Sequence, residues 1–166
     1  MAAGTVGNLV EWFDWSVYGF FAPYFAASFF PLSDRIAQLL GVFAVFAVGF
    51  FVRPLGGALL GSYADRHGRR AGMTLTILMM AGASALMALT PTFATIGVAA
   101  PILLVIARSL QGFSAGGEFG TSAAFLVENA EPGRRASAGM WQQVSVGAGT
   151  LSASLLASVM FAVLSP

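Results

Sequence analysis

Long apolar runs, broken at intervals by short polar clusters, set the pattern of this chain. A membrane-spanning helix needs roughly 20 mostly apolar residues. Five runs reach that length, at about 4–30, 36–63, 71–89, 101–128 and 136–164. The breaks between them carry residues that end helices. FFPLSDR makes a short turn at 31–35, and ENAEPGRR separates the fourth run from the fifth. TPTFATIGVAAP reads as a loop bounded by Pro91 and Pro101, with Pro101 suited to the first turn of the fourth run. The first run is polar in its first half; the third has no charge. No soluble domain, linker or internal repeat fits between the runs. The expectation is one all-α integral membrane bundle over residues 1–166, lying in the lipid bilayer.

Composition strengthens this picture. The chain is 57% apolar and 9% charged, with a mean hydropathy of +0.81, 15 Phe and 20 Gly, which suits a lipid solvent. With no cysteine, disulfides and thiolate metal sites are excluded. One histidine and no dense carboxylate cluster argue against a metal centre. A net charge of +1 with no basic run argues against nucleic acid as a partner. The opening MAAGTVGNLVEWFDW lacks the basic n-region of a secretory signal, and Glu11 and Asp14 interrupt its apolar stretch.

Arginine placement sets an expected orientation, because loops facing the cytoplasm collect positive charge. The loops after the second and fourth spans hold Arg66, Arg69, Arg70, Arg134 and Arg135, whereas those after the first and third hold only Arg35. Five against one places the N-terminus in the cytoplasm and the end of the fifth span outside. Topology alone does not explain GSYADRHGRR at 61–70. Asp65 stands at the C-terminal end of the second span, and Arg69 and Arg70 at the N-terminal start of the third. Both signs oppose the helix dipoles, so these charges are expected to find partners elsewhere in the fold. His67 reads as loop filler.

Charges also fall inside the spans, where each costs about 2.5–3.5 kcal/mol on insertion scales. Asn8, Glu11 and Asp14 share a broad polar sector of the first span, and Glu11 lines up with Trp15 and Tyr18. This sector is either a proton-binding or substrate-facing wall, or an interfacial position. The aromatics of that span read mostly as lipid or interface contacts. Arg53 precedes Pro54, which can kink the second span. It either satisfies Glu11 or Asp14 or receives a substrate carboxylate. Arg108 and Gln111 face one way on the fourth span, and Glu118 lies about 15 Å further along the axis. Glu118 is a reversible proton site or a paired acid holding helices together; Glu11 is the other candidate proton site. The pairs Gly57–Gly61, Gly112–Gly116 and Gly116–Gly120 read as close helix contacts.

Three motifs carry a family resemblance. Gly61, Asp65, Arg66, Gly68, Arg69 and Arg70 of GSYADRHGRR resemble the loop between helices 2 and 3 of major facilitator superfamily transporters. Arg108, Gln111 and Gly112 of RSLQG are similar to that family's R-x-x-Q-G element, and ENAEPGRRASAG to its E-x-x-x-P-x-x-R pattern. GNLVEWFDWSVYGF, FFVRPLGGALLGSYADRHGRR and ARSLQGFSAGGEFGTS resemble the metabolite:proton symporters, carriers of α-ketoglutarate, citrate, shikimate and proline or betaine.

The resemblance implies a major facilitator fold, of which these would be the first five transmembrane helices of the N-terminal six-helix half. The missing C-terminal half would complete the substrate site at the midplane. It implies proton-coupled uptake of a small carboxylate-bearing metabolite or zwitterion across the cell membrane, with protons as coupling ion, no cofactor and no bond chemistry. Arg108 would assist proton coupling. The 61–70 loop would latch the cytoplasmic side, with Arg69 paired to Glu128. The fifth span, SVGAGTLSASL, lacks the proline element of the drug exporters, which favours symport. The alternatives are an exporter of the same fold and a truncated, non-transporting fragment.

Overall fold

The computed structural model describes residues 2–32, 34–128, 130, 133 and 135–164, with side chains at 5–32, 34–122, 130, 133, 135–137 and 139–163. Every regular element among them is a helix: α1 Ala2–Phe29, α2 Arg35–His67, α3 Arg69–Leu89, α4 Phe93–Ile96, α5 Ala99–Glu128 and α6 Arg135–Leu164. Long helices lie over each of the five apolar runs. Four, α2, α3, α5 over Ala99–Ser122 and α6 over Arg135–Val163, are also apolar enough to cross a membrane on hydropathy alone. At 28 residues α1 has the length, but Asn8, Glu11 and Asp14 dilute its apolar character.

Local chemistry sets the ends. The Asp34 side chain caps α2 by accepting from the Ile36 amide at 3.0 Å. α2 runs past the expected boundary at 63, so His67 is its last residue and not loop. The His67 ring stacks on Tyr63, with centroids 4.3 Å apart. Only Gly68 separates α2 from α3; its φ of +95° is a conformation side chains avoid, which fits a glycine there. The 90–101 segment expected as loop contains α4, a single turn ended by Gly97 at φ +60°.

The helices pack on glycine. A Cβ at Gly112 would meet the Gly49 backbone, one at Gly116 the Arg53 carbonyl, and one at Gly56 the Phe113 carbonyl, so α2 and α5 run backbone to backbone. Gly57 joins this contact less tightly: a Cβ there would stand 3.4 Å from the Gly116 carbonyl. Gly61 and Gly120 do not: a Cβ at either would meet nothing within 4 Å, which corrects the expectation for those two. Gly149 brings α6 against α1, where a Cβ would stand 2.5 Å from the Leu9 carbonyl. α3 closes on α5 through the Ser114 hydroxyl, which donates to the Thr76 carbonyl at 2.5 Å.

Inside and outside are reversed relative to a water-soluble protein. Phe51 is 82% exposed and Leu89 80%, while Glu11 and Arg108 are each 1% exposed. Asn8, Gln111, Ser114, Glu118, Thr121 and Ser122 are also buried. An apolar exterior around a polar centre is the arrangement a lipid solvent selects.

Candidate functional site

Two acid–arginine pairs hang from one face of α1. Glu11 Oε1 accepts from Arg53 Nη2 of α2 at 3.0 Å. Three residues on, Asp14 Oδ2 lies 3.7 Å from Arg108 Nη1 of α5. Of the two acids on α1, it is Glu11 that stands beside Arg53. Asp14 is oriented from two further helices: Gln111 of α5 donates to Oδ2 at 2.6 Å, and Ser84 of α3 to Oδ1 at 3.4 Å. Gln111 also donates to the Ser84 hydroxyl at 2.9 Å, so four groups from α1, α3 and α5 meet at one point.

Both guanidiniums rest on aromatic rings. Arg53 Cζ is 4.5 Å from the Trp15 centroid and 4.8 Å from that of Phe50. Arg108 Cζ is 3.7 Å from the Tyr18 centroid and 5.1 Å from that of Trp15. Trp15 is thus shared by the two cations, and its ring is seated at Gly49, where a Cβ would come within 2.7 Å. Trp15 and Tyr18 therefore belong to the core of the site, not to an interfacial or lipid contact. Trp15→Leu, which keeps apolar bulk but removes the ring, is expected to lower stability by about 2 kcal/mol and Trp15→Phe by about half as much. Thermal unfolding of the chain in lipid nanodiscs measures both.

Glu118 differs from the other two acids. It is 2% exposed, its Oε1 has no hydrogen-bond partner, and no cation among the described residues lies within ion-pair distance. Of the two readings for Glu118, the paired acid finds no cation among the described residues; its Oε1 stands where a side chain at Gly7 of α1 would sit, beside a hollow between α1 and α3. Asn8 does not join the acids. It donates to the Gln142 carbonyl at 3.0 Å and the Ser145 hydroxyl at 2.8 Å, tying α1 to α6. The sequence reading missed Ser84, Gln142 and Ser145, neutral polar residues in two runs that carry no charge.

The 61–70 motif lies at the opposite end of α2 from Asp34. Asp65 Oδ1 and Arg69 Nη1 are 2.7 Å apart across the Gly68 link. Within the 61–70 motif, Asp65 and Arg69 thus offset each other across the helix junction. The expected Arg69–Glu128 pair lies outside the described residues, since the Glu128 side chain is not among them. Arg66 and Arg70 are exposed beside it.

Over residues 1–162 the chain matches the family described as Sugar (and other) transporter. It is 44% identical over 162 residues to the citrate-proton symporter of Klebsiella pneumoniae, covering 98% of this chain and 36% of that protein. It is 47% identical over 160 residues to the alpha-ketoglutarate permease of Escherichia coli (strain K12), covering 96% and 37% respectively. With a putative proline/betaine transporter of Staphylococcus aureus (strain COL) it shares 39% identity over 165 residues, covering 99% and 34%. The chain thus spans about a third of the length of these relatives. No solved structure matches it significantly. With the family match over nearly the whole chain, on an apolar-surfaced bundle with a charged centre, the protein belongs to the Sugar (and other) transporter family of the major facilitator superfamily, a family of multi-pass membrane transporters and not of enzymes.

Proposed function

We propose that this chain is part of a proton-coupled symporter that takes up a small carboxylate-bearing metabolite or a zwitterionic osmolyte across the cytoplasmic membrane by alternating access. One observation carries the reading: two acid–arginine pairs and a third buried acid sit together inside a bundle whose exterior is apolar. Charge at that depth is costly and marks substrate and proton pathways. The printed functions of the relatives, a citrate-proton symporter, an alpha-ketoglutarate permease and a putative proline/betaine transporter, agree with it.

The roles divide by environment. Arg53 and Arg108 are the cations available to a carboxylate, and Glu11, Asp14 and Gln111 position them. Glu118, which has no cation beside it among the described residues, carries the coupled proton; protons are the coupling ion and no cofactor takes part. Gly61, Asp65, Arg66, Gly68, Arg69 and Arg70, with Glu128, gate the cytoplasmic side, which puts the N-terminus in the cytoplasm. The rest of the fold supplies the facing wall of the pathway.

The test is a chimera in which this chain replaces the matching segment of the Escherichia coli permease. Uptake of labelled α-ketoglutarate, citrate, proline and betaine is then measured in cells. Glu118→Gln is expected to abolish uptake driven by a pH gradient while exchange of preloaded substrate continues, because the amide keeps the shape but does not take up or release a proton near neutral pH. Gradient-driven uptake that survives the substitution removes Glu118 from the role. A chimera that reaches the membrane and transports nothing favours the non-transporting fragment.

A further inference from the structure

Contacts among the described residues divide the bundle into two bodies. The first is α1 with α6, tied at three levels. Asn8 Nδ2 donates to the Gln142 carbonyl at 3.0 Å and to the Ser145 hydroxyl at 2.8 Å. Further along, a Cβ at Gly149 would stand 2.5 Å from the Leu9 carbonyl and 3.1 Å from the Phe13 nitrogen. Beyond that, Phe161 stacks on Tyr24 with centroids 4.7 Å apart. The second body is α2, α3 and α5. Glycine brings α5 against the α2 backbone, Gly72 of α3 stands against Ala64 of α2, and Ser114 of α5 donates to Thr76 of α3.

Between the bodies the contacts change in kind. Glu11–Arg53 and Asp14–Arg108 both cross this seam, as do the bonds from Gln111 and Ser84 to Asp14. Away from the Gly68 link the seam is apolar. Tyr18, Ala22 and Ala26 of α1 cluster with Val42 of α2, and the Tyr18 hydroxyl donates to the Val42 carbonyl at 3.1 Å. Toward the Gly68 link, Glu118 of α5 fills the seam beside Gly7 of α1. There Gln142 of α6 reaches across to α5. Its Nε2 donates to the Phe119 carbonyl at 3.3 Å and to the Ser122 hydroxyl at 3.4 Å. Both are longer than the roughly 2.7–3.2 Å usual for such bonds.

We infer that α1 and α6 move as one body, pivoting on the cluster of Tyr18 and Val42, and that their swing away from α5 at the Gly68 end opens Glu118 to water. Gln142 is the positioning residue of this device: its carbonyl is held by Asn8 of one body, and its side chain holds the other. The inference rests on the proton reading of Glu118 for its purpose, not for the motion. A carboxyl group that is 2% exposed needs an opening to exchange a proton with water. A hinge supplies one while parting few contacts. The close backbone contacts at Gly112, Gly116 and Gly149 lie inside the bodies, so they survive the swing. The charges pair across the seam, so a solute that binds one partner loosens it.

The chain has no cysteine, so introduced pairs are its only thiol spin-label sites. Double electron–electron resonance in lipid nanodiscs reads three pairs of exposed positions: Leu59 with Met140 across the seam at the Gly68 end, Leu40 with Val159 across it at the other end, and Val6 with Met140 inside the first body. The first pair is expected to show two distances and the others one each. Gln142→Leu keeps the carbonyl for Asn8 but removes the donor to α5, so it should shift the first pair to its longer distance. Glu118 should then react faster with a water-soluble carbodiimide and glycine ethyl ester, read by mass spectrometry against the exposed Asp65. A first pair with one distance that Gln142→Leu leaves unmoved overturns the hinge. A change between Val6 and Met140 overturns the division into bodies, and widening without faster reaction of Glu118 overturns the opening. If the seam widens and Glu118 reacts faster, yet the Glu118→Gln chimera still takes up substrate on a pH gradient, the proton role falls and the hinge stands. Loss of that uptake beside an unmoving seam does the reverse.

Discussion

Arg53→Leu should destabilise the bundle by about 3–5 kcal/mol, the cost of removing one partner from a buried ion pair. The reason lies with Glu11. It is 1% exposed, and among the described residues its Oε1 is satisfied only by Arg53 Nη2 and its Oε2 has no partner. Leucine leaves that carboxyl group without a cation among Trp12, Trp15 and Phe50, rings that now flank the guanidinium. The double variant Glu11→Leu/Arg53→Leu is expected to recover most of the loss, because replacing a whole buried pair with apolar residues is often neutral. Thermal unfolding in nanodiscs reads both. A single variant that melts with the wild type would show that the pair contributes little. A double variant as unstable as the single would place the cost in lost packing of the arginine stem and not in the stranded acid.

Gly112→Val is the second large effect, expected to cost about 3 kcal/mol or more. A Cβ at Gly112 falls on the carbonyl, the carbonyl carbon and the Cα of Gly49. Those are backbone atoms, so no side chain can turn aside, and α2 and α5 must move apart. Their separation would also disturb the seat of Trp15 at Gly49 and hence the rest of both guanidiniums. Gly120→Ala is the control. It lies on the same helix with open space around it, and removal of a helix-interior glycine should be neutral or stabilising by up to about 1 kcal/mol. Equal losses in the two variants would mean that backbone contact is not what position 112 requires.

These positions show which parts of the molecule were legible in the sequence. The long helices were, because length and apolar runs are properties of one segment at a time. So were the charges at Glu11, Asp14, Arg53, Arg108 and Glu118, since any charge stands out in a chain with 9% charged residues. Pairing was not. Glu11 and Asp14 are three residues apart, and either could reach Arg53 until helix rotation is known. Glycine spacing had the same defect. Gly112 and Gly116 form one G-x-x-x-G pair and Gly116 and Gly120 another, yet only the first two face α2. Gly56, which belongs to no such pair, makes a contact just as close, and Gly49 is the backbone that Gly112 meets. Trp15 and Tyr18 misled because amphipathic rings serve equally at a membrane interface and beneath a buried arginine. α4 was missed because FATI is one turn, too short to show any periodicity. Where α2 ends was misjudged because the Asp65–Arg69 contact, which accompanies the extra turn, crosses a chain break in helix that only Gly68 permits.

The central claim is that the charged centre of this bundle serves to move a proton together with a solute. The most direct test records both fluxes at once in proteoliposomes holding the chimera, with labelled substrate counted inside and a pH indicator reading the external buffer. Symport predicts that adding substrate without an imposed gradient makes the external medium more alkaline as label accumulates, and that Glu118→Gln removes the pH change. Substrate entry with no proton movement, or external acidification as substrate enters, would contradict the account.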